Sequence, residues 1–219
     1  MLPVAMLLAC GPDRPPGASA ADTASVSLVP STETDGRPVI LFLGTSITAG
    51  YGLQVSQAYP ALLQTKIDSA GLEYQVVNAG VSGQTSAGTR SSIEWQLRRP
   101  VSVLVIETGA NDGLRGIDAR ELRDNLEAII QRAMRQQPPP VVILLGMEAP
   151  PNLGQTYTVQ FRNVYRDLAQ QYDLPLVPFL LEGVGGFDSL NQADGIHPTV
   201  EGQQVLARTV WGVLRPELR

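Results

Sequence analysis

From Pro38 to the carboxyl terminus, short apolar segments alternate with longer segments that carry apolar residues at helical spacing. Five of the short segments have the length and composition of buried strands: residues 39–43, 75–78, 101–107, 141–146 and 176–179. Strands that alternate with helices pair in parallel, because each helix returns the chain to the end of the sheet at which the previous strand began. The sequence therefore predicts an α/β fold, a three-layer doubly wound sandwich around a five-stranded parallel sheet.

The helical segments carry start and stop signals as well as apolar stripes. Asp118 followed by Glu121 has the form of a capping box at a helix start. Ser56 is placed to cap an earlier helix, and Gly71 is placed to end it. The stripes themselves are predicted to be core rather than binding surface.

Charge and composition exclude several classes of function. The 219 residues include 16 basic and 21 acidic side chains, a net charge of −5, so no basic surface for nucleic acid is expected. One cysteine and one histidine cannot form an internal disulfide or a zinc site. No cofactor is expected, and no apolar run from residue 38 onward is long enough to span a bilayer.

The amino-terminal segment has the character of targeting sequence. Residues 1–9 are mostly apolar and lead into the chain's one cysteine, Cys10, after which small, polar and proline residues dominate. The order Leu-Leu-Ala-Cys resembles a bacterial lipoprotein signal, which implies lipidation of Cys10. The alternative is an ordinary chain start with a buried cysteine. We predict a signal segment at 1–10, a flexible tether at 11–37 and one folded domain at 38–219, in an extracytoplasmic, periplasmic or membrane-tethered lipoprotein whose only membrane contact is this anchor.

Small and polar residues follow three of the predicted strands, at 44–50, 80–83 and 109–112, and a fourth polar segment, 194–198, precedes the last helix. The carboxyl ends of parallel strands meet at one edge of the sheet, where ligands bind in folds of this kind. A serine, an acid and the chain's one histidine are therefore expected to meet there.

Ser46, His197 and Asp194 have the residue types of a nucleophile, its base and the acid that orients the base. A serine hydroxyl is a weak nucleophile unless a base accepts its proton, and a histidine is the side chain suited to that near neutral pH. Three donors are candidates to stabilise an oxyanion: the backbone N–H of Ser46, the backbone N–H of Gly80 and the Asn111 amide.

Each of these residues also has a structural interpretation when taken alone. A serine after a strand is often a helix cap, a lone histidine is often a loop or core group, and glycines often only allow positive φ. A phosphate-binding loop at 44–52 is a weaker alternative, because the Gly-Lys-Ser/Thr ending is absent.

Taken together and in order, segments 44–52, Gly80, 109–112 and 194–198 resemble the four sequence blocks of the SGNH, or GDSL-type, hydrolase superfamily. The resemblance covers essentially the whole chain after residue 37. Within the superfamily, segment 111–116 is similar to that of the bacterial multifunctional acyl-CoA thioesterase, lysophospholipase and arylesterase branch.

The resemblance implies a flavodoxin-like SGNH hydrolase fold. It also implies that Ser46 is the nucleophile, His197 its base and Asp194 the acid that orients the base, the same roles that their residue types indicate. The family's first block normally reads Gly-Asp-Ser, whereas this chain has Thr45 before Ser46. The missing Asp is not the acid of the triad, so the change bears on the support of the loop more than on the reaction class.

The predicted function is a serine hydrolase that cleaves small or lipid-like carboxylic esters and thioesters through an acyl-enzyme on Ser46. The family pattern implies that Leu114 borders the acyl pocket, and the scarcity of charge after residue 146 adds Met147 and Pro150 as apolar substrate contacts. The alternatives are a catalytically weak carbohydrate- or lipid-binding module on the same scaffold, a carbohydrate acetyl esterase, or a glycosidase that uses Asp112 and Asp194.

Overall fold

The computed structural model describes residues 36–219, in which five parallel strands form one sheet. The strands are β1 Val39–Gly44, β2 Gln75–Gly80, β3 Val103–Glu107, β4 Val141–Leu145 and β5 Leu176–Val177. Their order in the sheet is β2-β1-β3-β4-β5, and every pairing is parallel. This is the flavodoxin-like order, which confirms the predicted fold class.

Helices cover both faces of the sheet. They are α1 Ser46–Ala49, α2 Tyr59–Ser69, α3 Ser86–Gln96, α4 Ala110–Arg115, α5 Ala119–Met134, α6 Gln155–Tyr172 and α7 Val200–Leu214. Helix α2 packs against α7, whereas α5 packs between α3 and α6, so two helical layers enclose the sheet. The central strands β1 and β3 are buried along nearly their whole length, which is why they read as continuous apolar runs.

Local signals are borne out at some element ends and fail at others. Asp118 is the N-cap of α5, and its side chain accepts the N–H of Arg120 at 2.8 Å. The prediction that Ser56 caps α2 is wrong, because Ser56 lies in a short 3₁₀ turn and α2 begins after Ala58 with Pro60 in its first turn. Strand β5 is shorter than predicted, since Pro178 has no N–H to continue the ladder.

Within residues 36–219, no helix combines the length and the apolar character that a bilayer crossing requires. The predicted signal segment, residues 1–10 with Cys10, and nearly all of the predicted tether, residues 11–37, lie outside the described residues. Both therefore remain predictions.

Candidate active site

The polar segments that follow β1, β2 and β3 meet the segment before α7 at the carboxyl edge of the sheet. The N–H of Val81 donates to the carbonyl of Gly44, which joins the first two segments, and the Asn111 side chain donates to the carbonyl of Gln84 at 3.0 Å, which joins the next two. The structure therefore brings the predicted residues together at one place.

Ser46, His197 and Asp194 form a continuous hydrogen-bonded chain. His197 Nε2 lies 2.9 Å from Ser46 Oγ, and His197 Nδ1 lies 2.6 Å from Asp194 Oδ2. An ionised Asp194 can only accept, so Nδ1 carries a proton and Nε2 is left to accept the proton of Ser46. This is the arrangement that a nucleophilic serine requires.

Asp194 is held in place by its own turn as well as by the imidazole. Its Oδ1 accepts the backbone N–H of Ile196 at 2.9 Å and that of His197 at 3.0 Å. The hydrogen bond from the His197 side chain, together with these two N–H groups, holds the pKa of Asp194 well below its usual range. The acid is therefore ionised at any pH at which the base could work.

Tyr51 lies against the His197 ring. The two ring centroids are 4.6 Å apart and the rings are inclined by 37°. Gln192 Nε2 donates to the carbonyl of Tyr51 at 2.8 Å, which connects the segment after β1 to the segment that carries His197.

The Asn111 amide has a fixed direction. One of its two N–H groups donates to the Gln84 carbonyl, and the other has no acceptor among residues 36–219, so it can serve a ligand. Asn111 lies in the first turn of α4, which starts from Gly109 with a φ of +106°. A Cβ at Gly109 would lie 2.1 Å from the Tyr165 hydroxyl, so only glycine fits at this start.

Gly80, predicted as an oxyanion donor, has another role. Its N–H donates to Asn78 Oδ1 at 2.9 Å and so is not open to a substrate. A Cβ at Gly80 would lie 2.4 Å from the Ala49 nitrogen and 2.9 Å from the Thr45 oxygen. This glycine therefore allows close packing of β2 against the turn of Ser46, and its assignment to the oxyanion hole is corrected.

Gly83, three residues later, has the free N–H that Gly80 lacks. It is the third residue of a turn in which the N–H of Gln84 donates to the Val81 carbonyl, and its φ of +78° is the value that a type II turn requires there. Within residues 36–219, no acceptor takes the N–H of Gly83 or of Ser46. Both N–H groups belong to segments that meet at the site.

Behind Ser46 lies a fully buried carboxyl group that the sequence analysis did not single out. Glu107, the last residue of β3, accepts the backbone N–H of Thr45 at 2.7 Å and the Thr45 hydroxyl at 3.0 Å. It also accepts the Thr48 hydroxyl at 2.8 Å. Burial raises the pKa of Glu107 to about 7, against the opposing effect of these hydrogen bonds.

We expect the free energy of unfolding to fall as the pH rises from about 4.5 to about 7. Over this range the unfolded chain releases the proton of Glu107 while the folded chain retains it. The stabilisation is therefore complete below the pKa of Glu107 in the unfolded chain and is lost once the pH reaches its pKa in the folded chain, about 7. The loss is at most about 3 kcal/mol. Urea unfolding at pH 5 and pH 8 measures it, and Glu107→Gln should remove this part of the pH dependence; an unchanged pH dependence in the variant contradicts the raised pKa.

The residues predicted to contact substrate have different surroundings. Leu114 is 51% exposed on α4, and Pro150 is half-buried in the segment after β4. Met147 is only 2% exposed and packs in the core, so its prediction as a substrate contact is not supported. From the sequence alone, an apolar residue that directly follows a buried strand cannot be assigned to a crevice or to the core.

Asp112 is also unavailable for chemistry. It is 1% exposed, and its carboxylate accepts the backbone N–H and the hydroxyl of Ser86, fixing the start of α3 to α4. A glycosidase that pairs Asp112 with Asp194 is therefore not supported. Among residues 36–219, no three His, Cys, Asp or Glu side chains converge as metal ligands.

Comparison with known proteins places this site in a family. Residues 42–205 match the model of the GDSL-like lipase/acylhydrolase family, which is most of the chain. The chain belongs to this family. Family membership agrees with the resemblance of the four segments and with the arrangement of Ser46, His197 and Asp194 at the sheet edge.

Relatives within the family are similar over most of their length. Esterase TesA of Pseudomonas aeruginosa is 42% identical over 194 residues, 88% of this chain and 96% of that protein. Thioesterase 1/protease 1/lysophospholipase L1 of Escherichia coli K12 is 37% identical over 81% of this chain and 83% of that protein. Among solved structures, TesA matches with a TM-score of 0.78 and 44% identity, covering 82% of this chain and 99% of the other.

Another solved structure, the esterase EstA from a Pseudoalteromonas species inhibited by monoethylphosphonate, matches with a TM-score of 0.76 and 28% identity, over 81% of this chain and 97% of the other. A phosphonate is a tetrahedral phosphorus compound that resembles the intermediate of acyl transfer. Such a reagent is a direct probe for a serine nucleophile.

Proposed function

We propose that this protein is a serine hydrolase that cleaves carboxylic esters and thioesters through an acyl-enzyme on Ser46. The observation that carries the proposal is the hydrogen-bonded chain from Asp194 through His197 to Ser46. The names of the family and of its relatives, an esterase and a thioesterase, agree with it.

In the first step, Ser46 Oγ attacks the acyl carbon and His197 Nε2 accepts the hydroxyl proton. Asp194 stabilises the imidazolium through Nδ1, and the imidazolium then donates its proton to the leaving oxygen or sulfur atom. Water then attacks the acyl carbon while His197 Nε2 accepts one of its protons; the bond from the acyl carbon to Ser46 Oγ breaks, the imidazolium returns the proton to Oγ, and the acyl group leaves as a carboxylic acid. The chemistry needs no cofactor.

The negative charge on the acyl oxygen requires donors that are free before the substrate arrives. We assign these to the backbone N–H of Ser46, the backbone N–H of Gly83 and the second N–H of the Asn111 amide. All three lack an acceptor within residues 36–219 and lie in segments that are hydrogen-bonded to one another.

We expect Asn111→Ala to lower kcat by about 10²–10³-fold with little change in KM, because the bond to the oxyanion strengthens mainly in the transition state. Asn111→Asp is the matched variant: it keeps the shape but replaces the donor with an acceptor, so it should be at least as impaired. Steady-state kinetics on a p-nitrophenyl ester measures both. A rise in KM alone would make Asn111 a contact of the bound substrate instead.

The exposed apolar side chains favour an apolar acyl group. Five of the nine large ones in the described part of the chain lie in loops or short helices at the catalytic edge: Tyr51, Val81, Leu114, Leu153 and Ile196. A series of p-nitrophenyl esters and acyl-CoAs of increasing chain length tests this, and kcat/KM should rise beyond acetyl. A preference for acetylated sugars would favour the carbohydrate acetyl esterase.

The experiment that tests the function is labelling by an ethylphosphonate ester combined with pre-steady-state kinetics. Wild-type protein should release a burst of one chromogenic alcohol per active site and should be labelled stoichiometrically at Ser46. His197→Ala should be labelled far more slowly, because Ser46 then lacks its base. A protein with neither burst nor label would instead be the binding module.

The predicted localisation is a separate proposal. We propose that Cys10 is lipidated and that the chain is an extracytoplasmic lipoprotein. The proposal rests on the sequence Leu-Leu-Ala-Cys that ends at this cysteine. Metabolic labelling with an alkynyl fatty acid should mark the wild-type chain, and Cys10→Ser should remove the label and release the protein from membranes. Label that persists in the variant contradicts the proposal.

A further inference from the structure

The buried carboxyl of Glu107 has an unusual set of partners. None of the ion pairs among residues 36–219 involves it, and its hydrogen bonds come from hydroxyl and N–H groups of the turn after β1. A carboxyl group without a cation is costly to bury, and an apolar side chain of similar size would fill the space at lower cost. The packing of the core therefore does not require an acid here.

The partners of Glu107 lie on both sides of the nucleophile. Thr45 precedes Ser46 and donates both its N–H and its hydroxyl, whereas Thr48 follows Ser46 by two residues and donates its hydroxyl. One rigid group at the end of β3 thus binds the turn at two points, and Ser46 lies between them.

The network continues away from the site and leaves no free space. The Thr48 hydroxyl lies 2.8 Å from the hydroxyl of Tyr59, which is itself fully buried. A Cβ at Gly44 would lie 2.0 Å from Thr48 Oγ1 and 2.8 Å from Glu107 Oε2. The turn therefore packs directly against the carboxyl group, and a substitution of Glu107 must change the position of the turn.

We infer that Glu107 is a positioning residue for hydrolysis: through Thr45 and Thr48 it fixes the turn that aims Ser46 Oγ at His197 and the Ser46 N–H at the oxyanion. This inference rests on the proposed function. Displacement of a reacting group by about 1 Å can cost about 10²-fold in rate, so a group that prevents such displacement contributes to kcat without touching the substrate.

The inference also accounts for the departure at Thr45. The family's first block carries an Asp at this position, whereas Thr45 supplies a hydroxyl donor toward Glu107. A second carboxyl group could supply such a donor only in its protonated form. The hydroxyl therefore preserves the attachment of the turn to β3.

Three variants separate positioning from stability. Glu107→Leu removes both acceptor atoms at similar size, Glu107→Gln keeps one acceptor and the shape, and Thr45→Val removes one hydroxyl donor. We expect kcat to fall by about 10²-fold in Glu107→Leu and about 10-fold in Thr45→Val, with KM changed by less than about 3-fold. Glu107→Gln should recover kcat to within about 5-fold of wild type, because the turn can still be bound.

The rate of phosphonate labelling is the second measurement, because it reports the reactivity of Ser46 without substrate binding. It should fall in parallel with kcat. Gln136→Leu is the control for lost stability: Gln136 binds the backbone of Leu97, Arg99 and Val101 before β3 begins, far from the turn. It should destabilise the fold and leave kcat and labelling unchanged.

The outcomes distinguish this inference from the proposed function. Turnover and labelling of the wild-type protein establish the function whatever Glu107 does. A folded Glu107→Leu that turns over and is labelled at the wild-type rate overturns the positioning role, as does an equal loss of kcat in Gln136→Leu. If Glu107→Leu fails to fold, Thr45→Val decides: unchanged kcat and labelling would overturn the inference.

Discussion

Ser46→Ala should lower kcat for ester hydrolysis by about 10⁴-fold or more while the fold and substrate binding persist. The change removes the atom that forms the acyl-enzyme, and His197 is then left without the hydroxyl 2.9 Å from its Nε2. Ser46 is half-buried at the start of α1 and its side chain fills no core position, so the loss of stability should be small.

The measurement is hydrolysis of a p-nitrophenyl ester, with circular dichroism to establish that the variant is folded. Ser91→Ala is the matched control, because Ser91 is an exposed serine on α3 whose hydroxyl donates only within its own helix. Phosphonate labelling should disappear in Ser46→Ala and persist in Ser91→Ala. Turnover near the wild-type rate in Ser46→Ala would refute the catalytic assignment of all three residues.

Asp194→Asn should lower kcat by about 10³–10⁴-fold. An asparagine amide can donate to Nδ1, which favours the tautomer whose Nε2 carries a proton and so cannot accept the proton of Ser46. The carboxylate is also lost as the partner of the imidazolium. Because two backbone N–H groups hold Asp194 in its turn, the replacement is expected to keep the shape of the site.

Asp188→Asn is the control for Asp194→Asn, since it makes the same change of net charge at an exposed acid of the same segment. It should leave kcat unchanged. If Asp194→Asn retained kcat within about 10-fold of wild type, another group would have to orient His197. The Ser46→Ala result would then still identify the nucleophile.

Much of the fold could be predicted because β1, β3 and β4 are buried on both faces and so form continuous apolar runs in the sequence. Helix α3 was not predicted: its sequence is mostly polar, and its start is fixed by Asp112, 26 residues away from Ser86 in the chain. Contacts between distant residues leave no periodic signal. The failed cap at Ser56 has a local reason instead, because α2 begins after Ala58 with Pro60 in its first turn.

The candidate site shows the same division. Ser46, His197, Asp194 and Asn111 were predicted because their residue types carry the chemistry. Gly80 and Gly83 are identical in type and three residues apart, and only their three-dimensional surroundings distinguish them: the N–H of Gly80 donates to Asn78, whereas Gly83 lies in a turn with its φ at +78°.

Glu107 was not singled out because it ends an apolar strand. Its importance lies in which donors surround it, and those donors come from a segment about 60 residues earlier.

The base and its acid lie in a long segment without regular structure, between the end of β5 at Val177 and the start of α7 at Val200. Polar contacts such as Gln192 to the Tyr51 carbonyl and the N–H of Leu180 to the Gly146 carbonyl tie this segment to the rest of the protein, together with the buried side chains of Leu180 and Val184. Such segments open locally at a lower free energy than the sheet does. Heating should therefore inactivate the enzyme reversibly some degrees below the temperature at which the sheet unfolds. The reason is that His197 moves away from Ser46 before the core unfolds.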